Sequence, residues 1–206
     1  MDDVFLKILV PVVFFMKTQA MKRSVTVIWC DWGDEDTSIL TTIWKDLPPE
    51  IDLTVVHVNH WNNMRRKMVE FAIAKEKDML LFCGHGTPYG LLAPKSFQTY
   101  VLHEENVFQI KANNVIGISC HCSEFAKLTG LHGFFSSMFI SNVDEAEYYS
   151  VNATVEQVTR SNLDFYRLIG RMLSGEIDSH ECISMMEELG KDNPVSKFNA
   201  EGMKIL

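Results

Sequence analysis

Basic residues are in the minority in this sequence. The 19 Lys and Arg stand against 27 Asp and Glu, a formal net charge of −8, which leaves no broad basic footprint for the phosphates of a nucleic acid. Cysteine is scarce as well. The five present (Cys30, Cys83, Cys120, Cys122 and Cys182) are odd in number and thinly spread, which is not a disulfide framework and points to a reducing, cytoplasmic setting. Long apolar runs are missing. "VFLKILVPVVFF" at 4–15 is broken by Lys7 and Pro11, so it is too short to span a bilayer, and the Met-Asp-Asp ahead of it has the wrong charge for a signal peptide. The chain has no internal repeat, no low-complexity linker, no Gly-rich phosphate loop and no EF-hand ligand loop. At 206 residues it is the size of one domain, large enough to fold without a disulfide or a structural metal. Residues 1–23 are expected to be an N-terminal extension, with "MKR" at 21–23 as an equally good start, and 24–206 the domain.

What is present alternates. "SVTVIWCDW" (24–32), "DLTVVHVNH" (52–60), "DMLLFCGHG" (78–86), "NVIGISCHC" (114–122) and "GFFSSMFIS" (133–141) have the β-branched and aromatic content of strands. Between and after them lie helical patterns: "TSILTTIWKDL" (37–47, capped by Asp36 or Thr37), "NNMRRKMVEFAIAKEK" (62–77), "SEFAKLTGL" (123–131), "TVEQVTRSNLDFYRLIGRMLSG" (154–175) and "SHECISMMEELGKD" (179–192). Strands alternating with helices predict an α/β fold with a mostly parallel central sheet covered on both faces. Apolar runs such as "MLLF" and "VIGI" suit strands buried on both sides.

Three of these strands end in reactive side chains: Cys30-Asp31, Cys83-Gly84-His85-Gly86 and Cys120-His121-Cys122. In parallel sheets functional groups gather beyond the carboxyl ends of the strands. A cysteine nucleophile needs a neighbouring base, and an imidazole at the end of an adjacent strand supplies one. Gly86 has no side chain to obstruct a substrate carbonyl, so its N–H and that of Cys120 are candidate oxyanion donors.

The two blocks "FCGHGTPYG" and "ISCHCSEF" resemble the signatures of the caspase-like (clan CD) cysteine peptidases, among them metacaspases and clostripain-type enzymes. The resemblance covers roughly residues 24–175, including "AKLTGLHGFFSSMFISNVDEAEYY" and "LDFYRLIGRMLSG" downstream of the cysteine. It implies a caspase-like three-layer sandwich, His85 as catalytic base and Cys120 as nucleophile, a protein or peptide substrate, and no cofactor or metal. The sequence departs from the metacaspase pattern at Ile118, where an Asp would stand, at Ser123, where a Gly would stand, and in the additional thiol of Cys122. In the resembling families a residue just past the first strand helps bind the side chain before the scissile bond. Asp31 has that place here, and "NVDEAEYY" past the fifth strand offers Asp144, the second candidate, and Glu145. A carboxylate there would favour Arg or Lys by charge pairing. The competing expectations are a catalytically silent domain of the same fold that acts as a protein-interaction module, a zinc site from Cys83, His85, Cys120 and Cys122, and a flavodoxin-like or nucleotide-binding domain. The zinc spacings C-x-H and C-x-C are tighter than usual, and the last has no phosphate loop to support it. Neither a nucleic acid nor a membrane is expected as a partner, and the oligomeric state is left open.

Overall fold

Period-two alternation sends the apolar residues of each strand to opposite sides of the sheet, and the buried sets in the computed structural model, which describes residues 23–206, divide along that line. β1 (Ser24–Cys30) leads through a one-turn helix α1 (Glu35–Ser38) and a 3₁₀ segment (Ile39–Ile43) to β2 (Asp52–Val58) and α2 (Asn63–Lys75). β3 (Met79–Cys83) follows, then three short strands, β4 (Gly86–Thr87), β5 (Gly90–Leu92) and β6 (Tyr100–His103), and α3 (Glu104–Val107). β7 (Asn114–Ile118), α4 (Cys122–Thr129), β8 (Phe134–Ser136), α5 (Val143–Tyr148), α6 (Val155–Ser174), α7 (Ser179–Leu189), α8 (Pro194–Glu201) and β9 (Met203–Ile205) complete the chain.

The central sheet runs β2-β1-β3-β7-β8-β9. Its pairs are parallel except the last, β8 with β9. Val25, Val27, Leu81, Ile116 and Ile118 pack with Phe165, Ile169 and Leu173 of α6 and with Cys182 and Met186 of α7. Ile28, Leu80, Phe82 and Val115 pack on the other side with Val69 and Ile73 of α2 and Phe125 of α4. The result is helices, sheet, helices: the α/β architecture with a mostly parallel sheet that the alternation implied.

Several elements differ from the expected ones. The helix expected over 37–47 is one α-turn and a 3₁₀ segment, and its cap is Asp34, whose side chain accepts the Thr37 N–H. The cap must precede the first helical residue, which Asp36 and Thr37 do not. The expected strands ending at 86, 122 and 141 stop at Cys83, Ile118 and Ser136, so the reactive residues lie on the turns beyond them. β4, β5, β6 and β9 span two to four residues each, too short for an alternation to register. The extension expected at 1–23 lies outside the described residues except for Arg23, whose Nη1–H donates to the Met172 and Leu173 carbonyls at the end of α6.

At the amino end of the sheet one carboxylate gathers four donors. Glu76, buried just past α2, accepts the hydroxyls of Ser24 (2.7 Å) and Thr26 (2.8 Å) and the N–H groups of Lys77 and Asp78 (both 2.8 Å). Burial by itself would raise its pKa, but these hydrogen bonds outweigh that and hold it below the usual glutamate value. A group whose folded pKa is depressed stabilises the protein above its unfolded pKa, and the contribution is lost as the pH falls through the folded value. Glu76→Ala is expected to cost about 3 kcal/mol near neutral pH, because it orphans buried donors. The difference in thermal midpoint between wild type and variant should shrink as the pH is lowered through the carboxylate range; a constant difference would contradict this account.

Candidate active site

β3 and β7 are direct neighbours, with Cys83 opposite Ile118. Two residues further on each chain come His85 and Cys120, so register alone carries both past the same end of the sheet. Gly84 makes this geometry possible. It has φ +142°, and a Cβ there would sit 2.8 Å from Cys30 Cβ, so no other residue fits without displacing β1. Gly86 lies hard against the other turn, since a Cβ would approach Ser119 Oγ to 2.5 Å and the Cys120 carbonyl to 2.8 Å. The glycine expected to provide an oxyanion donor is thus packed directly on the Ser119–Cys120 backbone.

The Cys120 turn is fixed at both ends. Ser119 N–H donates to Ser136 Oγ at 2.9 Å, and His121 N–H to the Ser137 carbonyl at 3.0 Å. His121 is left-handed (φ 58°, ψ 20°) and immediately precedes α4. That conformation is uncommon outside glycine, and it turns the chain sharply enough to separate the fates of the two thiols. Cys120 stays partly exposed, whereas Cys122 is fully buried. Burial, followed by the charges of Glu145 and Asp36, pushes the Cys120 thiol up to about 11, although the N–H of Phe139 donates to its sulfur and works the other way.

His85 is held by a carboxylate. Its Nε2–H donates to Asp34 Oδ2 at 2.8 Å, which leaves Nδ1 as the free ring nitrogen. Burial would raise the Asp34 carboxyl, but hydrogen bonds from Thr37 and then His85 more than compensate and hold it below the usual aspartate value. Trp32 stands edge-on to the imidazole, ring centroids 5.0 Å apart.

His85 and Cys120 line one narrow cleft of about 50 Å³, together with Asp36, Leu40, Phe139, Ser141, Glu145 and Tyr166. Glu145 accepts the N–H and the hydroxyl of Ser141 through Oε2, and Asp36 accepts the Asn142 amide through Oδ2. Each carboxylate therefore keeps a second oxygen for a ligand. Larger cavities of about 410 and 450 Å³ lie at the amino ends of the strands, one beside Met79 and Asn114 and the other beside Ser24 and Asp52. Neither is lined by a cysteine or a histidine.

The expected specificity residues sit elsewhere. Asp31 Oδ2 accepts the Nε2–H of His57 at 2.7 Å, and His57 stacks on Trp29. Asp31 does not line the Cys120 cleft, because β1 is separated from β7 by β3, roughly 10 Å across two inter-strand spacings. Asp144 is exposed in the first turn of α5 and does not line the cleft either. Asp34 was not singled out from the sequence, Asp36 stood there only as a possible helix cap, and Glu145 was offered beside Asp144 and does line the cleft. The signal for the first two was "DWGDED" itself, where the spacing Asp34-x-x-Thr37 of a helix cap fixes which carboxylate turns back toward the sheet. The zinc arrangement meets a geometric obstacle. Cys83 belongs to the core under α6 and Cys122 to the core under α4, on opposite faces of the sheet. Among the described residues, no group of three or more His, Cys, Asp or Glu is placed to hold a metal ion, and no helix is long and apolar enough to cross a membrane. Compared with protein-family models, curated proteins and solved structures, the chain matches none.

Proposed function

We propose that this domain is a caspase-like cysteine peptidase that cleaves peptide bonds after Arg or Lys. The observation that carries the proposal is the shared cleft: a partly exposed thiol, Cys120, and an imidazole, His85, line it together, and the Nε2 of that imidazole is tied to Asp34. That is the nucleophile, base and orienting group of an acyl-transfer site.

The chemistry follows from the geometry. As the Cys120 sulfur attacks the substrate carbonyl carbon, His85 Nδ1 takes the thiol proton and Asp34 stabilises the resulting imidazolium. The thiol is neutral at rest, so proton transfer accompanies the attack. The carbonyl oxygen becomes an oxyanion, for which the N–H groups of Gly86 and Cys120 are the candidate donors. Collapse breaks the C–N bond, and His85 returns the proton to the departing amine. A water molecule, deprotonated by His85, then attacks the thioester, releasing the new carboxyl terminus and restoring the thiol. Before the scissile bond, the slim stem of an Arg or Lys would pass Leu40, Phe139 and Tyr166 and place its charge between Asp36 and Glu145. This reading moves the specificity carboxylates from Asp31 and Asp144 to the two that line the cleft.

A peptidyl acyloxymethyl ketone ending in Arg tests the proposal. It should alkylate Cys120 and leave Cys122 free, as located by peptide mapping, and peptides with Arg or Lys before the bond should be cleaved. Neither labelling nor cleavage would leave the silent interaction module as the better reading. Asp34→Asn retains a helix cap but lets the imidazole turn. It is expected to lower kcat by about 10²-fold with a smaller change in KM, and to alter the pH profile of kcat. An unchanged kcat would remove Asp34 from the mechanism.

A further inference from the structure

Two aromatic rings extend from His85 outside the lining of the cleft. Trp32 meets the imidazole edge-on at 5.0 Å, and Phe97, from the loop between β5 and β6, packs on Trp32 at 5.1 Å. Phe97 is nevertheless 78% exposed, an unusual position for a phenylalanine on a loop of Pro, Lys, Ser and Gln. Neither ring lines the cleft that holds Cys120, Asp36 and Glu145. The imidazole therefore borders an acidic, narrow chamber and also, outside that chamber's lining, a half-buried Trp32 that carries an exposed Phe97.

We infer that Trp32 and Phe97 form the subsite for the residue on the leaving-group side of the scissile bond, and that this subsite selects a large apolar or aromatic side chain. The inference rests on the peptidase reading. The reaction fixes the order of groups along the substrate. The acyl half is joined to Cys120 and reaches into the acidic chamber. The amine half must lie where His85 can protonate it, within hydrogen-bond reach of the ring. The first side chain of that half then lies against whatever flanks the imidazole on its outer side, which is Trp32 with Phe97 beyond it. An exposed Phe97 on a half-buried Trp32 favours aromatic and branched aliphatic partners through area burial and edge-to-face packing. It has no charge or hydrogen-bonding fork with which to hold an acidic or basic residue.

Quenched peptides with Arg before the bond and a varied residue after it test this directly. Wild-type protein should cleave the peptide with Phe after the bond about 10-fold faster, in kcat/KM, than the one with Gly. Phe97→Ala should bring that ratio close to one, and Phe97→Tyr should keep it, while Cys120 is still labelled by the acyloxymethyl ketone, which engages only the acyl side. Because Phe97 is exposed, the alanine variant is not expected to unfold; a thermal melt checks this. Trp32→Phe, which keeps an apolar ring against His85, should retain part of the ratio. A wild-type ratio near one, or a ratio that Phe97→Ala leaves intact, overturns the aromatic subsite while labelling upholds the peptidase reading. Absence of both cleavage and labelling overturns the two together.

Discussion

Cys120→Ala is expected to reduce peptide hydrolysis by on the order of 10³-fold or more, because nucleophile and base act as one unit. His85→Ala should lose a similar amount, and the double variant hardly more. Cys122→Ala is the control. Its sulfur is buried beneath α4 and fills the space above Gly117, where a Cβ would meet it at 2.3 Å. Its removal leaves a small cavity, at a cost of about 1 kcal/mol in stability, with turnover largely kept. Steady-state kinetics and a thermal melt on the three variants separate these outcomes. Equal loss of activity in Cys120→Ala and Cys122→Ala, accompanied by stoichiometric zinc in the wild type, would contradict the assignment of roles to the two thiols.

The second large effect concerns charge. Removing both cleft carboxylates, as Asp36→Asn with Glu145→Gln, should lower kcat/KM for Arg substrates by about 10- to 150-fold relative to a neutral residue of similar size. A charge-assisted contact in a partly desolvated pocket is worth roughly 1.5–3 kcal/mol, and about 1.4 kcal/mol is a factor of ten. Asp31→Asn should change this preference little, because the Asp31 carboxylate is engaged by His57 and lies two strands from Cys120. A larger effect from Asp31→Asn than from the double variant would reverse the pocket assignment. Cleavage by wild type after Asp or after small apolar residues would remove it altogether.

The contrast between Asp31 and Asp36 shows where the sequence stops being legible. β1, β3 and β7 announce themselves as apolar runs because both of their faces are covered, and the side chains that end them follow directly. The pairing of β3 with β7 is harder to foresee, since the 30 residues between Cys83 and Asn114 hold three short strands and one helical turn in place of a single crossover helix. The carboxylates of "DWGDED" cannot be ranked by strand position. Which of them faces Cys120 depends on α1 lasting one turn before it tightens into a 3₁₀ segment. Glu145 stands next to Asp144 in one acidic turn, over a hundred residues beyond Asp36, and only the pitch of α5 decides which of the two reaches the cleft. Ser136 illustrates the same limit. It reads as an ordinary strand residue, yet its hydroxyl accepts the Ser119 N–H and donates to the Ser119 carbonyl at 2.7 Å, holding the turn that carries Cys120.

The acidic cleft has a consequence for the resting protein in an oxidising episode. Peroxide attacks the thiolate, and a thiol held near 11 by burial and by Glu145 offers almost none at neutral pH. Free Cys120 is therefore sheltered from conversion to sulfenic acid chiefly by its burial, with the two carboxylates that are proposed to select the substrate adding to it. A guanidinium or ammonium seated between them would cancel their field and lower the thiol toward ionisation. The share of the shelter that burial supplies would stay, so the thiol would become easier to ionise while the cation is bound without losing that protection altogether.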